Sequence, residues 1–219
     1  MRLAALVGAV ALLAACSGGP ADGDPKGSPL PAAEETQAAL PLLPIGGDFE
    51  LTDQDGKPFK LESLRGKVAL VFFGYTMCPD ACPTTLSKLS TAYSRLSPEE
   101  RARVKAVYVT IDPERDTAEV MKTHLTYFGV DAIGLTGTPE QIAHVAHLYK
   151  AHYEKSDAKT AGGYLMSHTV SLFGVDAQGK TRTVIDYEAS VDLVVTEIRR
   201  LLNAPKVDDL RQPGTLPSL

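Results

Sequence analysis

Two thiols four residues apart, Cys78 and Cys82, lie in the run Gly74, Tyr75, Thr76, Met77, Cys78, Pro79, Asp80, Ala81, Cys82, Pro83. Residues 68–73 before it are an unbroken set of apolar β-formers, and residues 86–96 after it carry helical spacing. The thiols are therefore expected where a strand turns into a helix. The free N–H groups and partial positive charge of a helix start favour a thiolate, which is both nucleophile and metal ligand. Two chemistries are open to such a pair: reversible disulfide formation and binding of a soft metal ion. Placed at i and i+4 of a helix, the two would share one face about 6 Å apart along the axis, which suits either. The usual thiol oxidoreductase spacing has two intervening residues, and this chain has three.

Two thiolates leave a metal site short of donors, so a third ligand is expected, and imidazole is the natural choice. Five histidines compete. His144 and His147 fall at i and i+3 of one helix pattern, as a polar face would. His124 lies inside another helix pattern, and His152 lies just past one. His168 differs: it follows a glycine pair and is read as a loop residue immediately before a strand. It is the candidate third ligand, and a hydrogen-bonded loop histidine is the alternative.

The elements that must position these residues alternate. Residues 48–51 and 58–61 flank a turn signal at 53–57 and read as a hairpin. Strands at 68–73, 104–111 and 133–136 alternate with helices at 86–96, 117–128 and 140–149. Ser97, Pro98 and Glu100 signal a short extra helical turn. Residues 153–163 read as irregular. Strands at 169–175 and 182–187 form a late hairpin, and a helix closes the domain at 191–202. This order predicts an α/β domain with a thioredoxin-like fold, an N-terminal β-hairpin and a central insertion at about 117–136.

The flanks read differently. Residues 1–15 have one early positive charge, Arg2, an apolar run, and then Leu13, Ala14, Ala15 and Cys16. Small residues before a cysteine resemble a bacterial lipobox, which implies a lipoprotein signal peptide over 1–15 and lipidation of Cys16. Residues 16–44 are rich in Gly, Ala, Pro and Ser and read as a flexible tether. The domain is expected over 45–203, with a loose tail over 204–219. The expected place is the bacterial cell envelope, lipid-anchored, with the domain outside the cytoplasmic membrane. With 22 basic and 27 acidic residues and a formal charge of −5, the chain has no basic face for nucleic acid. Once Cys16 is acylated, Cys78 and Cys82 are the thiols left to manage in an oxidising compartment.

Residues 75–83 resemble the signature of the SCO/SenC copper proteins. Residues 109–117 (Val-Thr-Ile-Asp-Pro-Glu-Arg-Asp-Thr) resemble that family's second block. His168 followed by Asp176, Ala177, Gln178 and Gly179 resembles the third. The resemblance covers 45–203 in order. It implies one copper ion, Cu(I) or Cu(II), held by Cys78, Cys82 and His168, with Asp112 in the surrounding shell. It implies a metallochaperone that assists assembly of the CuA site of cytochrome c oxidase. Oxidase subunit II would be the partner, alongside a copper donor protein and a thiol reductant. The chain departs from the family at Ser167, where the family commonly has Asp. A rival reading makes Cys78 and Cys82 the redox-active pair of a thiol–disulfide oxidoreductase acting on the cysteines of subunit II. A redox or copper sensor is a third.

Overall fold

The structure, a computed structural model, describes residues 40–160 and 163–205. The expected leader, Cys16, the tether up to residue 39 and the tail beyond 205 lie outside the described residues.

The first hairpin forms as expected from β1 (Glu50–Asp53) and β2 (Pro58–Lys60). Asp53 Oδ1 accepts from the backbone N–H groups of Asp55 and Lys57, which closes the turn. The strand β3 (Val68–Gly74) is buried at every residue. Val68, Leu70 and Phe72 join one core cluster, and Ala69, Val71 and Phe73 join the other. Side chains of a strand alternate between faces, so a strand covered on both sides must be apolar throughout. The helices α1 (Ala81–Ser94) and α2 (Pro98–Ala102) follow, the latter closed by a reciprocal Ser97–Glu100 capping box. Next come β4 (Val104–Thr110), α3 (Ala118–Phe128) and β5 (Ala132–Thr136). Then α4 (Pro139–Leu148) starts at a second capping box, Thr138–Gln141.

The main sheet has seven strands. With β8 (Leu172–Val175) and β9 (Thr181–Ile185), its order is β2-β1-β5-β4-β3-β8-β9. β3, β4 and β5 are parallel, whereas β1 and β8 pair antiparallel with β5 and β3. The helices α1, α3 and α5 (Val191–Leu202) supply one core layer, with Leu86, Leu89, Met121, Leu125, Val194 and Ile198 fully or almost fully buried. On the other face α4 and the first hairpin pack through Ile142, Val145, Tyr149, Leu51 and Phe59. This is the expected α/β, thioredoxin-like plan, and the insertion α3–β5 extends the sheet beside β4.

Two expectations need correction. The stretch 153–163, read as irregular, holds β6 (Tyr153–Thr160), which pairs antiparallel with β7 (Gly163–His168) as a separate two-stranded sheet. Its first strand, Tyr-Glu-Lys-Ser-Asp-Ala-Lys-Thr, shows no apolar alternation: Tyr153 packs against the core, and polar residues follow it. His168 therefore ends a strand rather than lying in a loop before one, and β8 begins only at Leu172. The second correction concerns the tether. Leu40 is buried, Leu43 N–H donates to the Thr181 carbonyl, and Arg182 donates to the Leu40 carbonyl. Residues 40–44 are thus docked on the domain, which pairs Arg182 with Asp176 in a fully buried ion pair at 2.6 Å.

Candidate metal centre

The thiol turn starts at the end of β3. At Gly74 any Cβ would lie 2.5 Å from Cys82 Sγ and 2.7 Å from the Tyr108 ring, so the sulfur fills the space that a side chain would take. The next residues are fastened from below. Thr76 donates to Asp116 through its backbone N–H at 3.0 Å and its hydroxyl at 2.5 Å, and Thr110 adds a hydroxyl bond at 2.6 Å. Burial pushes the Asp116 pKa up, and the bonds from Thr110 and Thr76 pull it back. The Cys78 N–H donates to the Tyr75 carbonyl at 3.1 Å.

Cys82 lies in the first turn of α1, but Cys78 precedes its N-cap, Asp80. The two thiols do not share a helix face, as the i, i+4 spacing suggested. Instead the turn folds Cys78 back over the helix start, where the Cys82 N–H donates to Cys78 Sγ at 3.4 Å. A free helix N–H thus serves the sulfur directly. The pKa of the half-buried Cys78 is pulled down to about 3, chiefly by the Cys82 thiol hydrogen bond and then by the N–H groups of Cys82 and Asp80; burial opposes them. Cys82 is pushed far up because it donates to Cys78, is buried, and faces the Cys78 charge. The hydrogen bond between the two thiols thus favours ionisation of Cys78 over Cys82, and both cysteines are free of disulfide bonds.

His168 reaches these sulfurs from β7. Its Nε2 lies 3.9 Å from Cys78 Sγ and 3.8 Å from Cys82 Sγ. Its Nδ1 is 2.9 Å from the Thr169 carbonyl, an acceptor that fixes the proton on Nδ1 and turns the Nε2 lone pair to the thiols. The three donor atoms lie within 4.8 Å of one another, and they form the one such cluster among the described residues. The other histidines are elsewhere. His144, His147 and His152 are exposed, as polar faces predict. His124 is half-buried on α3 against Tyr108 and Phe128, and burial pulls its pKa down.

Asp112 is buried but offers no ligand. Its carboxylate pairs with Arg115 Nε and accepts the Tyr164 hydroxyl at 2.7 Å. Arg115 also donates to the Tyr164 carbonyl at 3.0 Å, with its guanidinium 3.8 Å from the Tyr164 ring centre. Asp112 therefore braces β7, the strand that ends in His168. Tyr75, Thr76, Asp116 and Tyr164 have no assigned role in the sequence reading. Three of them sit inside the blocks that carry the family resemblance, so the blocks held the signal. Tyr164 had none, because its partners are set by the unrecognised hairpin.

Known proteins resemble this chain in sequence and fold. A family model described as SCO1/SenC matches residues 37–203. The mitochondrial protein SCO2 of Saccharomyces cerevisiae is 35% identical over 147 residues, 67% of this chain. The matched part spans 49% of that relative, about half its length. Among solved structures, Bradyrhizobium japonicum ScoI with copper bound is 37% identical with a TM-score of 0.63, covering 72% of this chain and 99% of that one. BsSco, described as a member of the Sco family of cytochrome c oxidase assembly proteins with a disulfide switch, is 25% identical with a TM-score of 0.61. That match covers 75% of this chain and 97% of that one. Sequence match, fold and clustered thiols and imidazole agree: the chain belongs to the SCO1/SenC family.

Proposed function

We propose that this protein binds one copper ion through Cys78, Cys82 and His168 and handles it during assembly of the CuA site of cytochrome c oxidase. The carrying observation is the set of two sulfurs and one imidazole nitrogen within 4.8 Å, with the nitrogen already turned toward the sulfurs. Soft thiolates select Cu(I), and an added imidazole suits Cu(II). The copper-bound ScoI neighbour and the oxidase-assembly description of BsSco support the same reading.

The residues divide the work. Cys78 is a ready thiolate at the surface of the site, and Cys82 gives up its proton when the ion arrives. His168 supplies the third donor. Release proceeds by ligand exchange: a thiolate of oxidase subunit II reaches the half-exposed Cys78 side first, and buried Cys82 lets go last. A copper donor protein would load the site by the reverse exchange. After release the thiols can close to a disulfide, which a thiol reductant reopens.

The contrast between a half-exposed thiolate and a buried thiol also suits thiol–disulfide exchange. In that reading Cys78 attacks a disulfide of subunit II and displaces one of its sulfurs as thiolate. Cys82 then loses its proton and attacks Cys78, releasing the second partner sulfur and leaving this pair oxidised. Copper affinity and reduction potential measured on one preparation separate the two. Tight one-to-one copper binding is expected; weak binding with efficient reduction of a subunit II disulfide peptide would favour exchange. The lipidated Cys16 would hold the domain at the outer side of the cytoplasmic membrane; among the described residues no helix is long and apolar enough to cross one. Labelled fatty acid should enter the full chain and be lost in Cys16→Ala.

A further inference from the structure

Three observations meet on Tyr75. Its backbone carbonyl accepts the Cys78 N–H, so it belongs to the thiol turn. Its hydroxyl accepts the Met166 N–H at 3.2 Å, and Met166 lies on β7 two residues before His168. Its ring stands edge-on to the His168 imidazole, with centroids 5.8 Å apart and planes at 86°. The side chain is 1% exposed, so the ring has little room to follow if the strand drifts. His168 pairs with Tyr153 of β6, but β6 and β7 are not part of the main sheet, so no main-sheet ladder fixes the distance of the imidazole from the thiols. Arg115 reinforces the contact, lying 5.6 Å from the Tyr75 ring centre and 3.8 Å from that of Tyr164.

We propose that Tyr75 is the positioning residue that sets how closely His168 approaches the thiols, and hence how well the site holds Cu(II) relative to Cu(I). The proposal rests on the copper reading above. Cu(I) is satisfied by the two sulfurs, which stay on the thiol turn wherever β7 goes. Cu(II) depends on the imidazole, and so on the Tyr75–Met166 tie.

The test compares wild type, Tyr75→Phe, His168→Ala and the double variant, each as reduced full-length protein. Tyr75→Phe keeps the ring and removes the hydroxyl. Cu(I) affinity should stay within about twofold, while Cu(II) affinity falls about 3- to 10-fold, the size of one hydrogen bond. The sulfur-to-Cu(II) absorption band should shift, and the double variant should bind Cu(II) no worse than His168→Ala alone. In metal-free protein the Met166 amide should exchange its hydrogen several-fold faster. Equal losses for both oxidation states, an unchanged Cu(II) spectrum, or additive losses in the double variant would overturn the proposal, as would unchanged Met166 exchange. Wild type that takes up no Cu(II) through its cysteines would overturn the copper reading itself, a result that the copper-free exchange measurement does not share.

Discussion

The thiol turn and the β6–β7 hairpin hold the same site by different means. The turn grows directly out of β3, the most buried strand, and is pinned by Asp116 and by the missing Cβ of Gly74. The hairpin stands outside the main sheet; Met166 and Tyr153 pack it on the core, and side-chain ties through Tyr75, Arg115, Asp112 and Tyr164 fasten it. The sulfurs are thus preorganised by the core, and the imidazole by a removable set of ties. On the proposed copper reading, a site built this way would have a constant affinity for an ion that needs two sulfurs and an adjustable one for an ion that needs all three donors. That would suit the proposed delivery of copper, in which the ion must also leave.

Substitutions in the two regions should separate accordingly. The largest effect is expected from Cys82→Ser, which removes the buried sulfur and should abolish stoichiometric Cu(I) binding, read by anaerobic titration. Gly74→Ala comes next. Its methyl group meets the Cys82 sulfur and the Tyr108 ring, so it should cost about 1–3 kcal/mol in denaturant unfolding and weaken both oxidation states together. Tyr164→Phe frees the hairpin from Asp112 and should cost about 1 kcal/mol or less, with a loss confined to Cu(II). Lys155→Ala removes an exposed pair with Glu114 at the hairpin rim and should leave the melting temperature and both affinities unchanged. If Gly74→Ala selectively weakened Cu(II), or Tyr164→Phe selectively weakened Cu(I), the division between the two regions would fail.

Acidity gives an independent check on the turn. The folded Cys78 loses its proton at about pH 3, far below an ordinary thiol, so its thiolate fraction is complete throughout the neutral range. Alkylation of Cys78 in the metal-free protein should therefore be nearly flat from pH 5 to pH 8. An ordinary thiol would slow about tenfold for each unit of falling pH. A tenfold-per-unit slope at Cys78 would show that the hydrogen bond from the Cys82 thiol is not formed.

What the sequence reveals follows the same division. The six apolar residues from Val68 to Phe73 announce a doubly covered strand, and that strand carries the thiols. Ser97 with Glu100, and Thr138 with Gln141, announce helix starts that form as capping boxes. Cys78, Cys82 and His168 are legible by residue type, spacing and family blocks, and the structure brings all three together. The hairpin is illegible because β6 has no apolar alternation after Tyr153, and its pairing with β7 makes it a strand. The docking of residues 40–44 is illegible because it rests on one buried leucine, Leu40, on backbone groups and on buried Arg182, and no local pattern foretells it.

The central claim is that two sulfurs and one imidazole hold a single copper ion. X-ray absorption at the copper edge of the full chain loaded with one equivalent of Cu(II), beside His168→Ala, tests it most directly. The account predicts a shell of two sulfurs with one imidazole nitrogen, and loss of that nitrogen in the variant with both sulfurs retained. A shell of oxygen and nitrogen alone, or one unchanged by His168→Ala, would contradict it.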